Sequence, residues 1–380
     1  MLNSQGIGEL SLKEHVLITG GAGFIGRHLA RALLGKGHDV RVLDCLLEQV
    51  HGPDAQPPAE LDGAEVVIGD VRDAEKLEKT LSGIDSVVHL AAEVGVGQSM
   101  YAINRYVSVN DLGTASLLEA LAKRPARRVV VASSMSIYGE GLYRDTDGKL
   151  VEDATRKQAV SLSWDPIDHV GRPLRPVATP EWKRPNLASV YALTKYVQER
   201  MTLAVAPAYG MEAVALRLFN VFGPGQALSN PYTGVLAIFA SRLANGKPPL
   251  VFEDGRQRRD FVHVGDVAEA FALALEHSNA NGEAYNIGSG RDRSISEIAE
   301  ALAIAMDRPS IGPEIIGKAR TGDIRHCFAD TSKAQRELGF VARQSFTDGL
   351  AKLTEWVAGQ QVHDRVPEAR RELEMRGLVA

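Results

Sequence analysis

Tyr191 and Lys195 stand four residues apart in YALTK, a spacing that stacks both side chains on one face of a helix. An ammonium beside a phenol favours the phenolate, and a bound nicotinamide cation does the same. A group of unperturbed pKa ~10 then becomes a general base nearer neutrality. Such a pair taken alone is common on solvated helix faces, so its setting decides. Upstream, VVVASSMSIYG ends an apolar β-branched run at Ser133 and Ser134, the kind of strand tip at which open α/β sheets present chemistry. Nearer the start, TGGAGFIG places Gly20, Gly23 and Gly26, with Phe24 and Ile25 between the last two, in a G-x-x-G-x-x-G turn between a strand and a helix. Glycines there let the backbone approach a pyrophosphate, which sits on the free N–H groups of the helix start. Asp44 closes the second strand 18 residues after Gly26, where a carboxylate can accept both ribose hydroxyls and repel a 2′-phosphate. NAD is therefore expected rather than NADP. Asp70 and Val71, at the end of the third strand, either hold the adenine edge or form a simple turn.

The elements that must position these residues alternate along the first half. HVLITG (15–20), DVRVLD (39–44), EVVIGDV (65–71), SVVHLAA (86–92) and RRVVVASS (127–134) read as buried strands. FIGRHLARALLGKGH, AEKLEKTLSG and GTASLLEALAKR between them have helical periodicity. Strand–helix alternation with wholly apolar strands predicts an α/β fold: a Rossmann-type doubly wound parallel sheet covered on both faces. Residues 141–188, rich in Pro, Asp, Arg and Trp, break the pattern; a loop so long is uncommon unless it is a lid, a contact surface or partly disordered. The helix SVYALTKYVQERMTLAVAPAYG and the strand AVALRLFNVFGPG follow. The expected organisation is a dinucleotide-binding domain over 14–218, carrying the insertion, and a smaller mixed α/β substrate domain over 219–345. DFVHVGDVAEAFALALEH (260–277) is expected to return to the sheet. In the tail, 346–380, RVPEARRELEMRG reads as a solvated surface helix.

Composition narrows the function classes. The 380 residues are 24% charged with a net charge of −5, so nothing in the whole chain advertises nucleic acid or membrane. Cys45 and Cys327 provide neither a disulfide framework nor a metal set, and a reducing cytoplasm fits. The polar N-terminal stretch lacks the apolar centre of a signal peptide, and no apolar run reaches membrane-spanning length.

Taken in order, TGGAGFIG, HLAA, SSMSIYG, YALTK, FNVFGP and RDFVHV resemble an extended short-chain dehydrogenase/reductase of the nucleotide-sugar epimerase/dehydratase family, over roughly residues 14–345. Within it, AEVGVGQSM, SSMSIYGEGLY and QALSNPYTGV resemble NAD-dependent 4-epimerases, particularly those acting on dTDP-rhamnose, with UDP-galactose 4-epimerases also similar. The resemblance implies that Tyr191 is the acid/base, that Lys195 orients the ribose and lowers the tyrosine pKa, that Ser134 hydrogen-bonds the reacting hydroxyl and that Asn110 braces the site. It implies that Leu90, Ala91 and Ala92 of HLAA join the cofactor cradle. Arg259 and Arg320 match diphosphate-binding arginines, Asn220 a phosphate or sugar donor, and Leu250 and Phe252 the base pocket. Cys327 falls where a residue limits sugar-pocket size, with a buried small apolar role as the alternative.

Dehydratases of this family carry Asp-Glu after the catalytic Thr, and related decarboxylases a Glu nearby. Here Met135 and Ser136 stand there, and neither is an acid or base at neutral pH. Hydride transfer without elimination is expected, hence 4-epimerisation of a nucleotide-diphosphate sugar. A 4-reductase, a dehydratase-type enzyme and a non-catalytic dinucleotide sensor are the competing readings. Relatives pair through two helices per subunit, so a homodimer through GTASLLEALAKR and YVQERMTLAVA is implied. No zinc is expected, because the insertion has no cysteine and Asp168 with His169 makes no metal site alone.

Overall fold

The computed structural model describes residues 13–156, 164–232, 234–320, 322–362 and 364–379. The N-terminal stretch read above for targeting, and 157–163 of the insertion, lie outside the described residues.

Among the described residues, seven parallel strands form the central sheet. They are β1 His15–Thr19, β2 Asp39–Asp44, β3 Glu65–Ile68, β4 Ser86–His89, β5 Arg128–Ser134, β6 Glu212–Leu218 and β7 Glu283–Ile287. Their order is β7-β6-β5-β4-β1-β2-β3. The chain moves outward from β1 to β3, then restarts at β4 on β1's other side. That reversal opens a crevice at the strands' C-terminal ends, where doubly wound sheets bind ligands. β1, β4 and β5 are buried nearly throughout while β3 at the edge is half exposed, as its position requires. Helices α1 Phe24–Gly35, α2 Ala74–Thr80, α3 Gly113–Lys123 and α4 Val190–Ala208 connect them. Leu29, Leu33 and Val42 on one face of the sheet and Leu117, Leu121 and Val129 on the other give two buried clusters. The doubly wound fold is therefore present.

The segment 260–277 divides between two layers. Residues 258–263 form a strand in a separate four-stranded sheet with 220–222, 292–294 and 326–327, and do not enter the central sheet. What returns is the helix α6 Val264–Glu276, which packs on α1, followed by β7. Arg128 at the start of β5 donates to the carbonyls of Ala274 (2.7 Å), Leu275 (2.9 Å) and His277 (2.8 Å), satisfying that helix's C-terminal end. Because β7 comes from within 219–345, a cut at residue 218 does not divide the chain into separate layers. The smaller lobe adds α5 Val235–Ala244, α7 Ile295–Ala305 and α8 Phe346–Ala358, packed around Phe239, Leu302 and Leu353.

The insertion has structure of its own. Strands 142–144, 150–151 and 175–177 form a small antiparallel sheet. Buried Lys183 donates to the Tyr138 carbonyl at 2.7 Å, and Thr179 bridges to Ala329. Among the described residues no helix is long and apolar enough to cross a membrane.

Candidate active site

A cavity of about 670 Å3 follows the C-terminal ends of the sheet, a size in the usual range for ligand sites of ~300–1,000 Å3. Gly20, Gly23, Phe24, Ile25, Gly26, Asp44, Asp70, Val71, Leu90, Ala91 and Ala92 all line it. Gly20 has φ +69°, and a Cβ there would lie 2.8 Å from the Ala91 nitrogen. At Gly26 a Cβ would lie 2.5 Å from Gly21 Cα. Helix α1 thus approaches β1 as closely as only glycines allow. Its N-cap, Gly23, supplies no side-chain acceptor, so the first-turn amides are left for a ligand.

Asp44 accepts the amides of Ala22 (3.0 Å, Oδ2) and Leu46 (2.9 Å, Oδ1), which fix the carboxylate and leave further lone pairs for hydroxyls. These residues fit a dinucleotide. At Asp70, Arg72 takes the carboxylate with two donors at 2.9 and 2.6 Å, and that pair holds its pKa below the usual range. Val71 packs against Gly113. Arg27 and His51, which sequence reading passed over, flank Asp44 in the same cavity, and the Arg27 Nε is buried without a partner.

Ser134, Met135, Ser136, Tyr191 and Lys195 line the cavity's next stretch. β5 ends at Ser134, and Ser189 caps α4 by accepting from Ala192 N–H at 3.1 Å, which starts the helix just before Tyr191. Burial raises the Tyr191 pKa, and its hydrogen bond with Ser134 works against the rise. Burial brings Lys195 down to about 7, against the pull of Glu199. The lysine donates to Gln198 Oε1 at 2.6 Å, and Ser134 is the group that favours the phenolate.

Gln198 was not singled out in the sequence, although it lies one turn past Lys195. Its amide donates to Thr114 Oγ1 at 2.8 Å and lies 3.2 Å from His89 Nε2. Burial, with the Lys195 charge adding to it, lowers His89 to about 3, so its imidazole is neutral. Asn110, expected to brace the site, is fully buried and does not itself line the cavity. It sits in a π-helical stretch, 107–112, accepts from Glu93 N–H at 2.7 Å and donates to Thr194 Oγ1 at 2.9 Å, tying a cavity loop to the catalytic helix.

In the smaller lobe, Asn220, Leu250, Phe252, Arg259 and Arg320 line the far end of the same cavity. The buried Oδ1 of Asn220 has no partner, nor has Oε1 of the neighbouring Gln257, so two acceptors await a ligand. The Arg320 guanidinium lies over the Phe252 ring, 4.5 Å from its centroid. Arg320 pairs with Asp323 at 2.9 Å, and Arg259 lies 3.6 Å from the same carboxylate. Burial opposes the Asp323 charge, but Arg320, Arg259 and Arg156 outweigh it and keep the pKa low. Asp323, also missed in the sequence, holds the two arginines together.

Three further placements bear on the site. Cys327 is 1% exposed and outside the cavity lining, its thiol 3.9 Å from the Thr179 hydroxyl in a cluster with Ile137 and Phe219. That placement fits the alternative of a buried small apolar residue. No described residue of the insertion lines the cavity. In the tail helix α9, Val366–Met375, the residues Val366, Ala369, Arg370 and Leu373 form part of the cavity wall. Among the described residues no group of three or more His, Cys, Asp or Glu could hold a metal ion.

Residues 16–158 and 171–288 match the NAD dependent epimerase/dehydratase family. The chain is 36% identical over 352 residues to a dTDP-L-rhamnose 4-epimerase of Burkholderia thailandensis, covering 91% of this chain and 95% of that one. It is 31% identical over 351 residues to a dTDP-glucose 4,6-dehydratase of Streptomyces niveus, covering 90% and 92%. A UDP-glucuronic acid 4-epimerase from Bacillus cereus, solved with UDP-glucuronic acid and NAD, superposes with a TM-score of 0.75 at 26% identity, covering 90% and 99%.

Proposed function

The chain belongs to the NAD dependent epimerase/dehydratase family, and from that membership we propose that it is a nucleotide-sugar 4-epimerase. The observation that carries this reading is the surroundings of Ser134. The acidic residues lining the cavity are Asp44, Asp70, Glu93 and Asp323. Each is committed: Asp44 to backbone amides, Asp70 to Arg72, Glu93 to Arg105 by two bonds of 2.7 and 2.8 Å, and Asp323 to Arg320. Beside Ser134 stand Met135 and Ser136, whose hydroxyl donates to Ser134 Oγ at 2.9 Å. Among the described residues no carboxyl group is left there to protonate a leaving hydroxyl or abstract a carbon-bound proton. The dehydratase reading loses its chemistry for this reason, although a dehydratase is among the relatives.

Bound NAD supplies reversible hydride exchange at C4 of the sugar. Tyr191 takes the proton of the 4-hydroxyl on its phenolic oxygen and returns it. Ser134 orients that hydroxyl and favours the phenolate, while Lys195, released from Gln198, serves the nicotinamide ribose. Asn110 fixes α4 against the loop at Glu93. Arg259 and Arg320 anchor the diphosphate, their forked donors meeting phosphate oxygens in pairs, and Leu250 and Phe252 flank the base. A sugar free to turn about a fixed diphosphate can present either face of C4, so the reaction ends with no net redox change.

The test is to incubate the purified protein separately with dTDP-rhamnose, UDP-glucose and UDP-N-acetylglucosamine, following sugar proton couplings by NMR. A C4 epimer without net NADH is expected. Loss of water, or steady coenzyme consumption, would replace this reading with the dehydratase or the reductase.

We also infer a homodimer. Val107, Leu112 and Leu193, each 40% exposed or more, lie just upstream of GTASLLEALAKR and YVQERMTLAVA, the two segments expected to pair. The two free cysteines support a cytoplasmic setting.

A further inference from the structure

We propose that the C-terminal helix α9 is the closing wall of the nucleotide end of the substrate cavity and that Arg370 contacts the nucleoside diphosphate. The proposal rests on the nucleotide-sugar reading above. Four α9 residues reach the cavity, Val366, Ala369, Arg370 and Leu373. Their spacing is i, i+3, i+4, i+7, one helical face, so the whole face is given to the cavity. Ala369 and Leu373 are buried, while Glu368, Arg371 and Met375 on the other side are exposed. A helix so rich in charge would float free if its inner face had nothing to cover.

The helix is strapped across both halves of the site. Before it, buried Asp364 pairs with Arg242 of α5 at 3.3 Å and Lys247 at 3.1 Å. After it, the Arg376 guanidinium lies 4.4 Å from the Tyr101 ring centroid, and Tyr101 donates to the Tyr232 hydroxyl at 2.8 Å. Leu373 faces Gly97 on the cofactor side. Val379 bridges to Arg320, the residue read above as a diphosphate anchor. Arg370 shares with Leu250 both the main cavity and a shallower one outside it, which puts its guanidinium at the rim beside the base pocket. In this structure it pairs with Glu374 at 2.9 Å, a half-exposed contact that a diphosphate can outcompete.

A 10-residue helix is too short to be stable alone, so its order depends on what it covers. A ligand beneath it adds contacts and should order it further. The insertion, for which a lid was one of three sequence readings, does not reach the cavity with any described residue.

The experiment uses the full chain with NAD. Hydrogen exchange over 366–375 is measured with and without UDP, dTDP and GDP, and calorimetry gives their affinities for wild type, Arg370→Ala and Ala369→Trp. Exchange in α9 should slow with the diphosphate that binds. Arg370→Ala should weaken that diphosphate by roughly tenfold or more, the range for loss of a charge-assisted contact. Ala369→Trp, which fills the cavity, should block it, with NAD affinity unchanged in both variants. Wild-type binding with neither variant shifted more than twofold would overturn the wall and leave the epimerase reading standing. A wild type that binds none of the three overturns both.

Discussion

Tyr191 and Ser134 form the pair on which the chemistry turns. Tyr191→Phe removes the proton carrier and should lower turnover by ~10²–10⁴-fold, the range for a general acid–base group. NAD released on denaturation should match wild type, since the phenol contributes little to holding it. Near-normal epimer formation by this variant would remove Tyr191 from its role. Lys195 gives a second residue-level expectation. Burial holds its pKa near 7, below the ordinary 10.5. Between those values the unfolded chain binds a proton that the folded chain lacks, so this group makes the NAD-free protein more stable as pH rises through that window. Below about 7 its contribution is constant and unfavourable. Thermal midpoints measured from pH 7 to 9.5 should therefore rise in wild type more than in Lys195→Met. An identical pH slope in the two proteins would show that the lysine is not held neutral.

At the scale of elements, α4 must stay in register with β5 and β6 for Tyr191 to meet Ser134. Glu199, fully buried on α4, does this: it accepts from Ser133 Oγ at 2.7 Å on β5, and from Arg217 on β6 at 2.7 and 2.9 Å. Arg217 also donates to the Tyr138 hydroxyl at 2.8 Å and to the Glu181 carbonyl at 2.9 Å, so one guanidinium joins strand, helix and insertion. Arg217→Ala strands a buried carboxylate and should cost ~3–5 kcal/mol, read from chemical denaturation. Adding Glu199→Gln to that variant should restore much of the loss, because the uncompensated charge is then gone. The strands, α1 and α4 were all legible in the sequence, since an unbroken apolar run or a helical period is a local signal. The π-helical turn that aims Asn110 was not, because 107–112 carries no periodicity distinguishing it from its flanks. The insertion's sheet was hidden for a related reason: its short strands pair across a gap in sequence, and their partners set their shape.

For the whole molecule, the exposed apolar residues Val107, Leu112 and Leu193 flank the two segments through which a second copy is proposed to pack. Leu112→Asp with Leu193→Asp should shift the chain to a monomer in sedimentation velocity without altering its circular dichroism. A wild type already monomeric at assay concentration would end the dimer reading.

Local pattern sufficed for the doubly wound sheet, the glycine cradle, Asp44, the Tyr191–Lys195 pair and the absence of acid at 135 and 136, because each depends on residues near one another in the chain. Tertiary structure alone decided what no short window contains. It committed the cavity's carboxylates to Arg72, Arg105 and Arg320, turned Lys195 toward Gln198, buried Cys327 behind the wall and folded the distant tail over the nucleotide end. Partners in such contacts are chosen by packing and by the cost of an unpaired buried charge, and that cost is fixed only once the whole chain has closed on itself.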